Sequence, residues 1–312
     1  MEERIFHVLM KELCAEGGVK VNTLSYGWIL QLSKDGKVRH ITGNRFDINP
    51  EATGNIACDK YATYEVLKSQ NIPIIEHKMI FNPAIRSLYI SEEGNWNEII
   101  QYFVKNNSKV VVKPNNGCEG QGVYLCKNLG QVEIAITKLF KSNGSISICP
   151  YYNIKTEYRT FYLDGQCLLI YGKIKPFVIG DGIHNVGELI ENLNLPKNGV
   201  TSENINNIDL SYVPKSKEKF EISWKHNLSG GAKPEILKDK ALKNNIENLV
   251  KRAGEAMNIK FATIDVILTE DNKLFILEVN SGVCMTKFID EIQDGYEIAK
   301  EVYRKALRKL FE

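Results

Sequence analysis

Three oxygen-bearing side chains, Asp265, Glu278 and Asn280, lie inside apolar runs near the C-terminal end of the sequence. Carboxylates in such runs need a partner, because an isolated charge is costly to bury. Glu278 and Asn280 are two positions apart, so in a strand both side chains leave the same face. Hard oxygen ligands of this kind suit Mg²⁺ held jointly by the protein and by the phosphates of a substrate. The alternative is a hairpin whose polar residues merely face water.

A β-hairpin is the element that must position these three groups. Strands are predicted at Phe261–Thr269 and Leu274–Asn280, because both runs are rich in β-branched and aromatic residues. The polar residues 270–273 between them predict the turn. If the last residue of the first run pairs with the first residue of the second, Asp265 falls opposite Glu278. The two carboxylates and the amide would then converge on one spot.

A lysine followed by a glycine-rich loop is the second candidate for chemistry. Lys113 ends the apolar run 110–112 and precedes a loop that contains Gly117, Gly120 and Gly122, after which another strand is predicted. This arrangement can close backbone N–H groups over phosphates, with the lysine as a point charge. It differs from a P-loop, where the lysine follows the glycines, from the Rossmann glycine spacing, and from protein kinases, whose HRD and DFG sequences are absent. The alternative is a glycine-rich hairpin without a ligand.

Two further positions carry charges that a ligand could use. A helix is predicted to begin near Asp59, and Lys60 lies in its first turn, where a cation opposes the helix dipole. This placement favours an anionic partner, although a solvated surface lysine fits the pattern as well. Glu157 and Arg159 alternate along a predicted strand and share a face, so Glu157 can accept ribose hydroxyls while Arg159 holds a phosphate or carboxylate. A cross-strand ion pair is the alternative for these two.

The composition is that of a globular protein without an obvious polyanionic or lipid partner. The 312 residues include 40 Lys and Arg against 38 Asp and Glu, and 43% are hydrophobic. We therefore expect neither a nucleic-acid nor a membrane partner. The N-terminus does not resemble a signal peptide, and no apolar stretch approaches the length of a membrane span. The seven scattered cysteines contain no CxxC pair, which indicates reduced thiols and a cytoplasmic location.

The remaining elements predict an α+β protein. Strands are expected at residues 28–32 and 38–41, whereas residues 44–54 resemble a loop. Further strands are predicted at residues 74–80, 87–90, 146–152, 158–163 and 166–174. Helices are predicted at residues 95–106, 129–140, 185–193, 236–257 and 296–311. Residues 194–222 look irregular, and residues 226–232 form a second glycine-bearing loop.

With these pieces in order, the sequence resembles the ATP-grasp superfamily of carboxylate–amine ligases. The resemblance runs from about Asp59 to Asp290 and rests on VVVKPNNGCEGQGV, TEYRTFYLDG and TIDVI…FILEVNSG. Within the superfamily it is closest to the ATP-grasp part of cyanophycin synthetase and of fused bacterial glutathione synthetases, on the grounds of DKYATYEVLKSQNIPI, GDGIHNVGELIENL and WILQL. The further C-terminal ligase domain and longer N-terminal region of cyanophycin synthetase are missing, so cyanophycin synthesis itself is not expected.

The resemblance implies a short N-terminal region, residues 1–55, and an ATP-grasp domain, residues 56–312. That domain would consist of two α+β subdomains gripping ATP, a lid at about 75–152 and a larger subdomain at about 153–312. The residues implied to contact ATP are Lys60, Lys113, Gly117, Gly120, Gly122, Tyr151, Tyr152 and Glu157. Arg159 and Lys175 would be the catalytic cations near the γ-phosphate and the acyl group. Asp265, Glu278 and Asn280 would hold two Mg²⁺ ions, for which Mn²⁺ can substitute.

Two departures from the superfamily pattern affect these roles. The hinge lacks the acidic residue usual near Cys149, which weakens the assignment of adenine contacts, and Lys175 stands where many relatives have arginine, which loses bidentate capture. The expected reaction joins a small carboxylate to an amine, amino acid or peptide in type, through an acyl phosphate, with ADP and phosphate released. A same-fold ligase with another nucleophile or a carrier-bound substrate is an alternative, as is a non-catalytic ATP-binding module. A homodimer is compatible with the sequence.

Overall fold

The computed structural model describes residues 4–85, 88, 90, 95–117, 120–193 and 208–312. The chain divides into two compact units, and each is described by itself. The first unit comprises Met1–Met79, Tyr152–Tyr171 and Ile236–Glu312, and the second comprises Ile80–Tyr151 and Gly172–Glu235. The domain boundaries expected from the sequence remain predictions beside this division.

The N-terminal part of the first unit is a helix and an antiparallel sheet. The elements are α1 (Ile5–Glu16), β1 (Lys20–Leu24), β2 (Ile29–Lys34), β3 (Lys37–Thr42) and β4 (Arg45–Phe46). The four strands pair in the order in which they occur in the sequence. The strands predicted at residues 28–32 and 38–41 are confirmed as β2 and β3. No helix was predicted at α1, whose buried side chains include Leu9, Met10 and Leu13.

Two short helices follow this sheet. The loop predicted over residues 44–54 is wrong at both ends, because β4 occupies Arg45–Phe46 and α2 (Glu51–Cys58) begins at Glu51. The helix predicted near Asp59 is confirmed as α3 (Lys60–Ser69). Its first turn is capped by the Asp59 carboxylate, which accepts a hydrogen bond from the backbone N–H of Ala62 at 2.8 Å.

The next stretch of chain builds the four-stranded sheet of the second unit. Its elements are β5 (Lys78–Phe81), α4 (Trp96–Lys105), β6 (Val110–Pro114), β7 (Tyr124–Cys126), α5 (Leu129–Phe140) and β8 (Ser145–Pro150). The strand order is β5-β8-β6-β7. Val110 and Val112 pack with both helices in the core, so the alternate residues Val111 and Lys113 lie on the other face of β6. The strand predicted at residues 87–90 includes residues outside the described part of the chain.

A long segment then adds strands and a second small core. It contains β9 (Ile154–Leu163), β10 (Gln166–Ile174), β11 (Phe177–Ile179), α6 (Val186–Glu191), β12 (Lys219–Glu221) and β13 (Lys233–Ile236). Residues 194–222 are not wholly irregular, because β12 pairs with β11; residues 194–207 lie outside the described structure. A capping box between Asn185 and Glu188 starts α6 where the sequence predicts a helix.

The last part of the chain completes the larger sheet. It contains α7 (Lys240–Ala256), β14 (Phe261–Thr269), β15 (Leu274–Asn280), α8 (Thr286–Glu291) and α9 (Gly295–Phe311). The strand order is β13-β10-β9-β14-β15. The helix predicted to begin at Ile236 begins at Lys240 instead, because Lys233–Ile236 is paired as β13.

Strand β14 is buried along its whole length, but its two faces differ in the residues that they carry. Ala262, Ile264, Val266 and Leu268 pack in one core cluster with apolar residues of α7. Because side chains alternate along a strand, Asp265 must lie on the opposite face. Because the apolar side chains face the helix-covered core, the Asp265 carboxylate lies on the opposite face of the sheet.

Two findings bear on the expected class of the protein. Among the described residues, no helix has both the length and the apolar character needed to cross a bilayer. The cysteines at positions 14, 58, 126, 149, 167 and 284 are all free thiols.

Candidate functional site

The predicted hairpin brings Asp265 and Glu278 together. Strands β14 and β15 have the predicted bounds, and Asp265 pairs with Glu278 across them. Glu278 and Asn280 share a face, as expected, and the Asn280 amide donates a hydrogen bond of 3.2 Å from Nδ2 to Glu278 Oε1. The structure therefore places two carboxylates and one amide next to each other on the sheet.

The register that produces this pairing differs from the predicted one. Leu274 pairs with Leu268, not with Thr269, so a regular ladder would move Glu278 one position away from Asp265. A β-bulge corrects the offset, because Leu277 has no partner of its own between the pairs on either side. Thr269 belongs instead to the turn, where its backbone N–H donates to the carbonyl of Lys273 at 3.0 Å.

Asp265 also faces Arg159 on the neighbouring strand β9. Arg159 donates from Nε to Oδ1 at 2.9 Å and from Nη2 to Oδ2 at 2.8 Å, which is a bidentate ion pair. Asp265 is completely buried, and the Arg159 side chain is 22% exposed. Burial lowers the pKa of Arg159, but the charge and hydrogen bonds of Asp265 outweigh that effect and raise the pKa above its ordinary value. The cross-strand ion pair that was open for Arg159 is thus formed with Asp265.

The oxygen atoms of this group fit a hard cation. Within the described residues there is no cluster of three or more His, Cys, Asp or Glu side chains that could hold a metal, so the set depends on the Asn280 amide. A carboxylate has about four lone-pair sites, and Arg159 uses one on each Asp265 oxygen. Asp265 can therefore still contribute beside Glu278 and Asn280. The roles of these three as metal ligands remain predictions.

In the second unit, Lys113 lies in β6 opposite Ser147 and is only 6% exposed. Among the described residues, its ammonium has neither a hydrogen bond nor an ion-pair partner. A charge on a mostly buried side chain loses part of its hydration, which costs free energy unless an anion compensates. The arrangement is suited to an anionic ligand that would neutralise the charge.

The glycines after Lys113 are fixed by close packing. Gly120 and Gly122 have φ angles of +67° and +64°, which disfavour other residues. A Cβ on Gly120 would lie 2.6 Å from Nδ2 of Asn227, and a Cβ on Gly117 would lie 3.0 Å from Cβ of Pro114. Cys118 and Glu119, in the same loop, lie outside the described residues. The phosphate-binding role of the loop remains a prediction.

The two tyrosines implied to contact adenine lie on opposite sides of the division between units, which falls between residues 151 and 152. Lys109 Nζ lies 3.6 Å from the Tyr151 ring centroid, and the Trp224 ring is 6.2 Å from that of Tyr151. Burial, with a smaller effect of the Lys127 charge, lowers the pKa of Lys109. In the first unit, the Tyr152 ring lies 5.6 Å from that of Phe275. These positions do not test adenine binding.

The other predicted site residues are already engaged with the protein. Lys175 Nζ lies 2.9 Å from Oε2 of Glu221, a side chain that is half exposed. Lys60 begins α3, and Glu157 lies on β9 two residues before Arg159. Their ligand roles remain predictions.

Sequence reasoning missed the importance of the segment 224–231. Residues 226–232 were predicted only as a glycine-bearing loop, and Trp224 was not singled out, yet Asn227 packs on Gly120 and Trp224 packs on Tyr151. A polar HNLSGG sequence between two strands was the available signal. Without the fold, it did not identify its neighbours.

No protein-family model matches the chain. In sequence it is 26% identical over 217 residues to the glutathione biosynthesis bifunctional protein GshAB of Streptococcus agalactiae serotype V, a match that covers 60% of this chain and 28% of the relative. It is 25% identical over 182 residues to the cyanophycin synthetase of Nostoc sp., covering 58% of this chain and 19% of the relative. The chain thus spans less than a third of the length of these curated relatives.

In structure, the chain is similar to a bifunctional glutathione synthetase from Pasteurella multocida. The TM-score is 0.56 at 16% identity, and the match covers 96% of this chain and 43% of the other. The chain has the ATP-grasp fold, as predicted from its sequence. The two groups of relatives expected from the motifs are also confirmed.

Proposed function

We propose that this ATP-grasp chain is an ATP-dependent carboxylate–amine ligase. It forms an amide or peptide bond through an acyl phosphate and releases ADP and phosphate. The observation that supports this best is Lys113, a buried cation without a partner among the described residues, located directly before the glycine loop. A triphosphate is a ligand class that matches a positive charge beside a glycine-rich loop whose backbone N–H groups can bind phosphate oxygens.

The first unit carries the groups proposed for cations. ATP-grasp ligases use ATP with Mg²⁺, and Asp265, Glu278 and Asn280 offer the oxygen ligands that Mg²⁺ prefers. Bound Mg²⁺ would neutralise charge on the phosphate oxygens during transfer. Two ions, and replacement by Mn²⁺, are part of this proposal.

The chain's own residues act mainly by positioning and by charge. The substrate carboxylate attacks the γ-phosphorus of ATP, and Lys113 together with N–H groups of the glycine loop offsets the negative charge of the transferring group. Arg159 holds Asp265 with two of its five N–H donors, so three donors remain for a substrate oxygen. The Lys175 ammonium would leave its ion pair with the Glu221 carboxylate and bind the acyl phosphate instead. The amine then attacks the acyl carbon, and phosphate departs.

The substrate class is proposed from the relatives. Glutathione biosynthesis and cyanophycin synthesis, named for two of them, both involve amino-acid or peptide building blocks. We propose a small carboxylate and a small amine of this type, without nucleic acid or membrane partners, in the cytoplasm. A homodimer would be compatible with this activity.

A substrate screen scored by nucleotide products tests the proposal. Purified protein is incubated with ATP, Mg²⁺ and pools of amino acids and short peptides, with hydroxylamine to trap acyl phosphates as hydroxamates. We expect ADP, phosphate and a hydroxamate with the right acid, and none of them with a Lys113→Met variant. AMP and pyrophosphate would contradict the acyl phosphate mechanism. Tight nucleotide binding without turnover across the whole panel would indicate a non-catalytic ATP-binding module instead.

A further inference from the structure

His226 is a buried histidine that the proposed mechanism does not use. It follows β12 in the second unit and begins the segment His226–Gly231. The residue is 5% exposed. Its position in the chain is two residues after Trp224 and directly before Asn227, which pack on Tyr151 and Gly120 respectively. The imidazole therefore belongs to a segment that contacts both the predicted hinge and the glycine loop.

The hydrogen bonding of His226 defines its tautomer. Nδ1 lies 2.8 Å from the backbone carbonyl oxygen of Lys173. A carbonyl can only accept, so Nδ1 must carry the hydrogen, and in the neutral ring Nε2 carries a lone pair. Nε2 is buried and has no hydrogen-bond partner within the described structure.

The charges around the ring favour its neutral form. Burial lowers the pKa of His226 below the ordinary value of 6.5, and the cations Lys175 and Lys173 lower it further. The hydrogen bond to the Lys173 carbonyl and the charge of Glu221 act in the opposite direction but do not prevail. At neutral pH, His226 therefore presents a basic nitrogen rather than a cation.

An unsatisfied buried acceptor costs free energy, because it has lost its hydrogen bonds to water. That cost is recovered when an N–H or O–H donor reaches Nε2. The ring lies in the unit that also holds Lys113 and Lys175, and the reaction proposed above needs a group to remove a proton from the amine. His77 also has a buried Nε2 without a hydrogen-bond partner among the described residues, but it precedes the second unit and belongs to the first.

We propose that His226 Nε2 accepts a hydrogen bond from the amine substrate and takes its proton as the amide forms, an assignment that rests on the proposed function. The amine lone pair forms the C–N bond to the acyl carbon, and the C–O bond breaks with its electron pair leaving on phosphate. The amine proton passes to Nε2 and then to the departing phosphate. The products are the amide and inorganic phosphate, and His226 returns to its neutral form.

Nε2 lies beneath the protein surface, so the amine reaches it only after the chain around the ring shifts. Gly230 and Gly231 lie in the same segment, and Gly231 has a φ of +96°, so this part of the loop is built from residues with wide backbone freedom. Catalytic hydrogen bonds commonly form only in the substrate complex.

The variant His226→Asn distinguishes the contribution of Nε2 from that of Nδ1. The asparagine amide nitrogen replaces the Nδ1–H donor toward Lys173, but nothing replaces Nε2. The matched control is His40→Asn, which changes an exposed histidine of the first unit whose ring contacts Gln31. Both variants are assayed with the acid and amine found in the substrate screen, and in parallel with hydroxylamine, a weakly basic nucleophile that is largely unprotonated at neutral pH and therefore depends less on a protein base than an amino group does.

We expect His226→Asn to lower amide formation by about a hundredfold, as for loss of a general base, while hydroxamate formation stays within about twofold of the unaltered protein. The ratio of the amide-forming rates of the unaltered protein and His226→Asn should fall only below the ordinary histidine pKa of 6.5, because protonation of the amine itself affects both proteins equally. Equal loss of both products would show that His226 is only structural, and unchanged amide formation would also overturn the proposal. If the unaltered protein forms neither product, the proposed function itself has failed.

A spectroscopic measurement tests the tautomer without substrates. In protein labelled with ¹⁵N-histidine, the His226 signals are those missing from His226→Asn. At pH 7.5 we expect a protonated Nδ1 and an unprotonated Nε2. Addition of the amine should move the ¹⁵N chemical shift of Nε2 toward the value of a nitrogen that accepts a hydrogen bond. A protonated Nε2 at this pH, or an Nε2 signal that the amine leaves unmoved, would overturn the assignment.

Discussion

Arg159 and Lys113 are both cations on strands, one in each unit, and they differ in their surroundings. Arg159 forms a bidentate ion pair with the fully buried Asp265 on the adjacent strand. Lys113 is 6% exposed and has no ionic or hydrogen-bonded partner among the described residues. The charge of Arg159 is neutralised by Asp265 within the protein, whereas the charge of Lys113 is available to an anionic ligand.

This difference separates the roles of two residues that the sequence analysis had both placed near the phosphates of ATP. A paired buried charge contributes to stability mainly because removal of either partner leaves the other uncompensated. An unpaired one lowers stability and is retained where binding offsets the cost. Arg159 should therefore matter first for the integrity of the sheet, and Lys113 first for the affinity of an anion.

The largest expected effect is on stability at Arg159. Arg159→Met leaves the Asp265 carboxylate buried without its partner, which should lower the free energy of unfolding by about 3–5 kcal/mol. Urea denaturation followed by circular dichroism measures this. The control is Arg252→Met, whose guanidinium makes only an exposed 3.3 Å hydrogen bond to the Asn71 carbonyl.

A double variant at Arg159 and Asp265 tests whether the loss of stability comes from the unpaired carboxylate. Replacing Arg159 by Met and Asp265 by Leu together removes the pair without leaving an orphan charge, so it should be less destabilising than Arg159→Met alone. A single variant that loses less than about 1 kcal/mol, the range of exposed pairs, would contradict the view that this pair acts as one unit.

Lys113 should show the opposite pattern. Lys113→Met removes a charge from a mostly buried side chain that has no ionic partner among the described residues, so we expect the free energy of unfolding to stay equal or rise. The affinity for ATP should fall at least tenfold, which corresponds to about 1.4 kcal/mol. Fluorescence or calorimetric titration of the nucleotide measures the affinity, and Lys113→Arg, which keeps the charge, should retain more of it. Unchanged affinity in the methionine variant would refute the phosphate-binding role.

A smaller effect is expected at Glu278, which lies beside the neutralised Asp265. Glu278→Gln keeps an oxygen atom but removes one charge from the cation ligands. The Mg²⁺ concentration needed for half-maximal nucleotide binding should rise about fivefold, or about 1 kcal/mol. Titration with Mg²⁺ at fixed ATP tests this, and metal-free nucleotide binding serves as the control because it should change little. An unaltered Mg²⁺ requirement would remove Glu278 from the metal site.

The smallest effect on stability is expected at Lys175, whose partner Glu221 is half exposed. Such pairs contribute about 0–1 kcal/mol. Lys175→Ala should therefore change the free energy of unfolding by less than about 1 kcal/mol while it lowers turnover. A loss of stability comparable to that of Arg159→Met would place Lys175 in the same class as Arg159.

Local sequence patterns predicted the hairpin that carries Asp265 and Glu278, because alternating apolar residues and a polar turn define strands within a short stretch. They also predicted the strand that ends at Lys113 and the loop after it. The helices α1 and α2 were missed, since EATGNIAC of α2 contains a glycine and few apolar residues. Its helical state depends on packing against residues far along the chain, such as the hydrogen bond of Thr53 to the Met257 carbonyl.

The neighbours of Asp265 were beyond local patterns. Arg159 is 106 positions away and meets Asp265 only because β9 lies beside β14 in the sheet. The bulge at Leu277 also has no signature in the run LFILEVN. The predicted pairing of Asp265 with Glu278 was correct only because this bulge compensated for a turn one residue longer than expected.

The separation of Arg159 from Asp265 sets the order in which a newly made chain can fold. Ribosomes extend chains at about 5–20 residues per second, so Asp265 follows Arg159 by about 5–20 seconds. The second segment of the second unit, Gly172–Glu235, is synthesised within that interval, whereas its first segment, Ile80–Tyr151, precedes Arg159. Strand β9 meanwhile has an open edge and an unneutralised arginine, so the emerging first unit is the part of the nascent chain most in need of chaperone protection.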